Sequence, residues 1–283
     1  MTEAKKMDLI NKIKKIYGKT AQWVIDKAMG SGLMQEELSA EGERYVTPGM
    51  PELARQAAAE GCVLLKNDGL LPFDKEKQIA VFGRCQLDWF FTGTGSGGEA
   101  FPPYYVNLID GLQASGAKID QELLEIYRGW TSHKDHRADH GWWGHWPMSH
   151  PEMPVSPEMA KKAAESSYAA LVVIGRAAGE DRENTLTKGS YYLTDGERSM
   201  LDSVCSAFSK VAVVLNIGSV MDMSWVKDYE DMLSAVLIAW QGGMESGNAV
   251  SDLLYGRLSP SGRLSDSIAL KWEDYPSSRN FGG

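Results

Sequence analysis

GRAAGEDRENTLTKGSYYLTDGE, residues 175–197, is the stretch from which the rest of the chain can be read. In front of it stands YAALVVI, 168–174, a short apolar run that reads as a buried strand. Behind it a helix begins. Thr194 is placed as an N-cap, and Glu197 three residues on completes a capping box. Between the two lie about twenty residues without an apolar period, where a strand-to-helix loop usually needs only about 2–6. A long loop at the carboxyl end of a sheet strand is where open α/β sheets place ligands. This loop carries Glu180, Asp181, Arg182, Glu183, Lys188, Tyr191 and Tyr192. A solvated surface loop has the same kind of mixture. The length, the position and Gly179 in front of Glu180 favour a site.

Outward from this loop, short apolar runs alternate with helical patterns. Strands are predicted at 62–65, 78–82, 211–217 and 235–240, with a turn at 66–69. Helices are predicted at 51–60, 106–115, 120–127, 157–167, 196–210 and 246–255, with Ser246 as an N-cap and a helix or turn at 222–231. Residues 128–156 break every period and are rich in Trp and His. Continuously apolar strands alternating with helices predict a mainly parallel sheet covered on both faces, a three-layer α/β/α sandwich. Residues 1–50 read as a helical N-terminal arm and linker ending in Thr47-Pro48-Gly49, 51–276 as the globular domain, and 277–283 as the start of a linker.

The totals narrow the function classes. The chain of 283 residues is 43% hydrophobic and 24% charged, which is enough to bury a core. A formal net charge of −9 argues against nucleic acid and anionic membrane as partners. Cys62, Cys85 and Cys205 are far apart and form no CxxC pair, as expected of reduced thiols. No segment approaches the roughly 18 apolar residues that span a bilayer, and the start lacks a signal-type apolar core. A cytoplasmic location is the expectation, with room for a homo-oligomer. Nine Trp and eleven Tyr suit sugar rings, although filling a core is their default use.

Three further motifs carry less. TGTGSGG at 92–98 fits the letters of GxGxxG but does not open a helix directly after a strand, and GxxxxGK[ST] is absent. A tight loop whose backbone can approach a ligand is the better reading, with Thr94 and Ser96 offering hydroxyls. His136 and His140 have i, i+4 spacing, but Gly141 interrupts the segment, so no metal site is expected. No nucleophile elbow is present.

Taken as a set, several separated blocks resemble the α/β sandwich domain of glycoside hydrolase family three, the β-glucosidase family. They are RQAAAEGCVLLKNDGLLPF at 55–73, AVFGR at 80–84, TGTGSGG at 92–98 and GEDRENTLTKGSYYLTDGE at 179–197, then LNIGSVMDMSW at 215–225, AWQGGMESGNAVSDLLYGRLSPSGRL at 239–264 and the tail 272–276. The resemblance covers about residues 51–276. It implies a retaining β-glycosidase with two carboxylates: an aspartate nucleophile on a TIM barrel and a glutamate acid/base on this sandwich. Glu180 matches the acid/base by position, with Asp181 and Glu183 the alternatives. Thr94, Ser96, Asp181 and Arg182 are the implied substrate contacts, the substrate being a β-glucoside or related oligosaccharide, and no cofactor is implied. No stretch reads as a (β/α)₈ barrel, which needs about 250 residues. The partner lobe is therefore expected beyond Gly283, and the chain alone is expected to be inactive. Two other readings are a non-catalytic carbohydrate-binding or interaction module, and an unrelated phosphate binder, which the missing Lys-Ser/Thr disfavours.

Overall fold

The computed structural model describes residues 46–95, 102–139, 147–180 and 184–280. The expected N-terminal arm falls outside them, apart from its last few residues. Five strands form one sheet: β1 (Val63–Asn67), β2 (Ile79–Phe82), β3 (Ala169–Arg176), β4 (Val211–Ile217) and β5 (Leu233–Ile238). Their spatial order is β1-β5-β4-β3-β2. β2 to β5 are mutually parallel, and β1 closes one edge antiparallel to β5. The mainly parallel sheet read from the sequence is present.

Both faces of the sheet are covered. Along β3 every residue is buried, and successive side chains enter different cores. Val172 and Ile174 face α3 (Gln121–Ser132), α4 (Pro157–Ser166) and α5 (Asp195–Ala207) through Leu123, Ala163, Met200 and Val204. Leu171 and Val173 face α1 (Met50–Gly61), α2 (Leu108–Ala114) and α6 (Ser246–Leu254) through Ala59, Leu112 and Val250. This is why the strands are continuously apolar: alternation with period 2 sends each neighbour to a different apolar layer. Each fully buried aliphatic side chain contributes about 1.5–3 kcal/mol.

Helix starts follow local chemistry. Asn107, Asp120 and Ser156 each accept a hydrogen bond from a backbone N–H of the first turn. Thr194 and Glu197 form both bonds of the capping box at α5.

Several boundaries differ from the sequence reading. β1 runs through Lys66 and Asn67, placed in a turn by their polarity, because pairing with Val236 and Ala235 holds them in the ladder. α3 extends to Ser132, beyond its apolar period, and Arg84 stacks on Trp130 with its guanidinium carbon 5.1 Å from the ring. Ser246 is the first helical residue of α6 and caps nothing: its hydroxyl accepts from the Trp89 indole at 2.8 Å. The end of the 128–156 stretch is core rather than free loop, since Met153 and Val155 are buried under β3 and β4.

Candidate functional site at the carboxyl edge of the sheet

Because β2 to β5 are parallel, the loops that leave them share one edge. β2 runs through a short 3₁₀ turn, Arg84–Gln86, towards Thr94. β3 ends at Arg176 and reaches Glu180 four residues later. The two loops join there. Thr94 pairs with Gly179 in an isolated parallel bridge. The Thr94 N–H donates to the Ala178 carbonyl at 2.8 Å, and the Glu180 N–H donates to the Thr94 carbonyl at 3.1 Å. The structure thus brings together Thr94 and Glu180, two of the residues singled out in the sequence. The Thr94 hydroxyl also donates to the Ala178 carbonyl, at 3.3 Å. Glu180 itself is exposed at the rim. Ser96, Asp181, Arg182 and Glu183 lie outside the described residues, as do His140 and the Trp142, Trp143 and Trp146 group.

The junction is closed enough to exclude side chains. A Cβ on Gly179 would lie 2.0 Å from the Thr94 Oγ1 and 2.5 Å from the Thr94 carbonyl oxygen. Gly95 has φ +108°, and a Cβ there would lie 2.5 Å from the Glu180 Cβ and 3.1 Å from its Oε2.

The far limb of the long loop is held by a residue the sequence reading passed over. Arg176 is buried, and each of its five guanidinium donors has a partner. Nε donates to the Ser190 carbonyl, Nη1 to the Gly175 carbonyl and Glu197 Oε1, and Nη2 to the Tyr192 carbonyl and Glu197 Oε2. The Arg176–Glu197 fork is bidentate at 2.6 and 2.7 Å, the strong form of an ion pair. One side chain therefore ties strand end, returning limb and helix start together. Ser190 and Tyr191 on this limb are buried, whereas residues 185–188 before them are exposed. An arginine directly after an apolar run, with an acidic capping residue about twenty positions on, was the available signal.

Two more polar groups, one buried and one half-buried, shape the edge. Asn216 at the end of β4 accepts from the Phe90 N–H at 2.7 Å and donates to the Phe90 and Trp240 carbonyls at 2.8 and 2.7 Å. It fastens the β2 and β5 exits to each other. Glu152 accepts the Arg84 N–H on both oxygens at 3.0 Å and the Met153 N–H at 2.8 Å. Burial pushes its carboxyl up to about 8, against those hydrogen bonds, with Glu197 adding to the rise. Burial also raises the thiols of Cys62 and Cys205 to about 12, and all three cysteines are free. Among the described residues no group of three or more His, Cys, Asp or Glu is arranged to hold a metal ion.

A three-layer α/β domain with a long carboxylate-bearing loop on the carboxyl edge of a parallel sheet belongs to the class of open α/β sheets that take ligands at that edge. Comparison with known proteins makes the class specific. The glycosyl hydrolase family 3 C-terminal domain matches residues 62–282. The chain is 43% identical over 231 residues to a β-glucosidase of Ruminococcus albus, covering 81% of this chain and 24% of the relative. It is 36% identical over 255 residues to β-glucosidase A of Butyrivibrio fibrisolvens, covering 81% and 30%. Among solved structures, a β-glucosidase from Paenibacillus barengoltzii superposes with a TM-score of 0.82 at 44% identity, covering 84% of this chain and 26% of that one. β-Glucosidase 3B from Thermotoga neapolitana, in complex with α-D-glucose, gives 0.72 at 32% identity, covering 82% and 32%. The chain belongs to glycosyl hydrolase family 3 and carries its C-terminal domain. It spans between 24% and 30% of the length of the two curated relatives.

Proposed function

We propose that this domain is the acid/base-bearing lobe of a retaining β-glycosidase of β-glucosidase type, and that Glu180 is the acid/base. The observation that carries the reading is the placement of Glu180: an exposed carboxylate at the sheet rim, its backbone bonded to the neighbouring glycine-rich loop. Retaining glycosidases set their two carboxyl groups roughly 5–5.5 Å apart, so two lobes can supply one each across the sugar. The nucleophile, an aspartate, comes from a TIM-barrel lobe outside this chain. Glu180 protonates the leaving oxygen, then takes a proton from the water that releases the glycosyl-enzyme. Such an acid must keep its proton near neutral pH, and closure by the second lobe would raise its pKa by excluding water. Thr94, Ser96, Asp181 and Arg182 contact the substrate, which is a β-glucoside or related oligosaccharide. The protein works in the cytoplasm with no nucleic-acid or membrane partner.

The test uses the 283-residue chain alone and the same chain joined to a nucleophile-bearing lobe. General acid help supplies about 10²–10⁴-fold and cannot replace the covalent step, so the chain alone should not turn over aryl glucosides. In the two-lobed enzyme, Glu180→Ala should slow alkyl glucosides by about 10²–10⁴-fold and activated aryl glucosides far less. Azide should then restore turnover of the activated substrates and yield a β-glycosyl azide. Equal slowing of both substrate types without azide rescue would move the role to Asp181 or Glu183. Enzyme-like turnover by the lone chain would end the two-lobe reading. Sugar binding by the lone chain without any assisted catalysis would favour the carbohydrate-binding module instead.

A further inference from the structure

The contact between the two loops does more than bring them together. We propose that Gly95 is a positioning residue for Glu180, acting with Gly179 and Thr94, so that the direction of the carboxylate is set from the neighbouring loop. This rests on the acid/base reading of Glu180. The bridge between Thr94 and Gly179 and the bond from the Glu180 N–H to the Thr94 carbonyl fix the Glu180 backbone. They leave its side chain directly over Gly95, whose missing Cβ would sit 2.5 Å from the Glu180 Cβ, 3.1 Å from Oε2 and 3.2 Å from the backbone nitrogen. Real Cβ atoms do not approach so closely. The space next to the Glu180 side chain therefore exists only while position 95 is glycine. Its φ of +108° excludes L side chains independently of that contact. Any residue at 95 other than glycine must push Glu180 aside or pull the bridge apart. Gly179 gives the bridge the same requirement from the other side, since a Cβ there would meet both Thr94 Oγ1 and its carbonyl oxygen.

The first arm of the test needs no catalysis. The 283-residue chain is labelled with ¹³C at the Glu carboxyl carbons, and the Glu180 signal is assigned with Glu180→Gln. Gly95→Ala should shift the Glu180 signal and leave those of Glu152 and Glu197 in place. Gly116→Ala is the control, because Gly116 also has positive φ, +78°, with nothing within 4 Å of its Cβ. It carries the backbone strain without the contact and should leave the Glu180 signal unmoved. Gly179→Ala, which crowds the bridge from the opposite loop, serves as the second variant. An unmoved Glu180 signal in folded Gly95→Ala overturns the proposal. So does failure of both variants to fold, since the junction would then hold the fold rather than the glutamate.

The second arm uses the two-lobed enzyme. Misplacement by about 1 Å costs on the order of 10²-fold, so Gly95→Ala should lower kcat/KM for alkyl glucosides by about 10²-fold and spare activated aryl glucosides. A uniform loss across leaving groups would mark a structural effect and overturn the assignment. The two readings fail separately. Should Glu180→Ala show no dependence on the leaving group while Gly95→Ala still shifts the Glu180 signal, the acid/base role is wrong and the positioning contact stands.

Discussion

At the scale of single residues, the edge of this sheet keeps its polar groups in two different states. Glu180 faces solvent, whereas Glu152 is half-buried beside Arg84 and Glu197 with its carboxyl raised from 4.5 to about 8. The sign of the consequence follows from proton binding. Between those two values the folded chain holds a proton that the unfolded chain has released, so stability from this group is full below about pH 4.5 and is lost as pH rises towards 8. Glu152→Gln keeps an oxygen for the Arg84 and Met153 amides and cannot ionise. Melting temperatures measured across this range should fall with pH in the wild type and fall less in Glu152→Gln. Parallel curves for the two proteins would mean that Glu152 is ionised throughout. Nothing in the sequence distinguishes Glu152 from any other glutamate, because its state depends on what β2 and α5 place around it.

At the scale of elements, the two described limbs of the long loop are each tied to the body of the domain. Arg176 and Glu197 form the loop's base, and the Thr94 bridge holds it near Glu180. Thr194 contributes one cap bond at the loop's exit, and its replacement by Ala should cost about 1 kcal/mol. Arg176→Met leaves Glu197 buried without its partner and should cost about 3–5 kcal/mol. Urea denaturation of the two variants would check the ranking. A smaller cost for Arg176→Met than for Thr194→Ala would show that the guanidinium is not what holds the loop's base. The capping box was legible because its spacing is local. The ion pair joins residues 21 apart, and its meaning depends on the loop folding back.

At the scale of the molecule, one sheet serves two cores. Leu171 and Ile174, three positions apart on β3, point into opposite layers, and both are almost wholly buried. Truncation of either to Ala should cost about 2–5 kcal/mol. Since both layers pack on the same strands, each variant should lower one shared unfolding transition, followed by circular dichroism and tryptophan fluorescence together. Separate transitions for the two variants would show layers that unfold independently.

The sequence by itself determined the layers, the parallel sheet, most helix starts and the position of Glu180 at the exit of a buried strand. These rest on periodicity, capping and loop length, which act over a few residues. Boundaries moved where tertiary partners overrode local chemistry: β5 keeps Lys66 and Asn67 in a strand, and Trp89 takes the Ser246 hydroxyl away from capping. Only the tertiary structure decided that Thr94 and Glu180 meet, that Gly95 and Gly179 must be bare for them to do so, and that Arg176 closes the base of the loop. The physical reason is the same in each case. The parallel crossover from β2 to β3 brings residues 85 positions apart onto one edge, and a contact at that separation leaves no periodic trace in the chain.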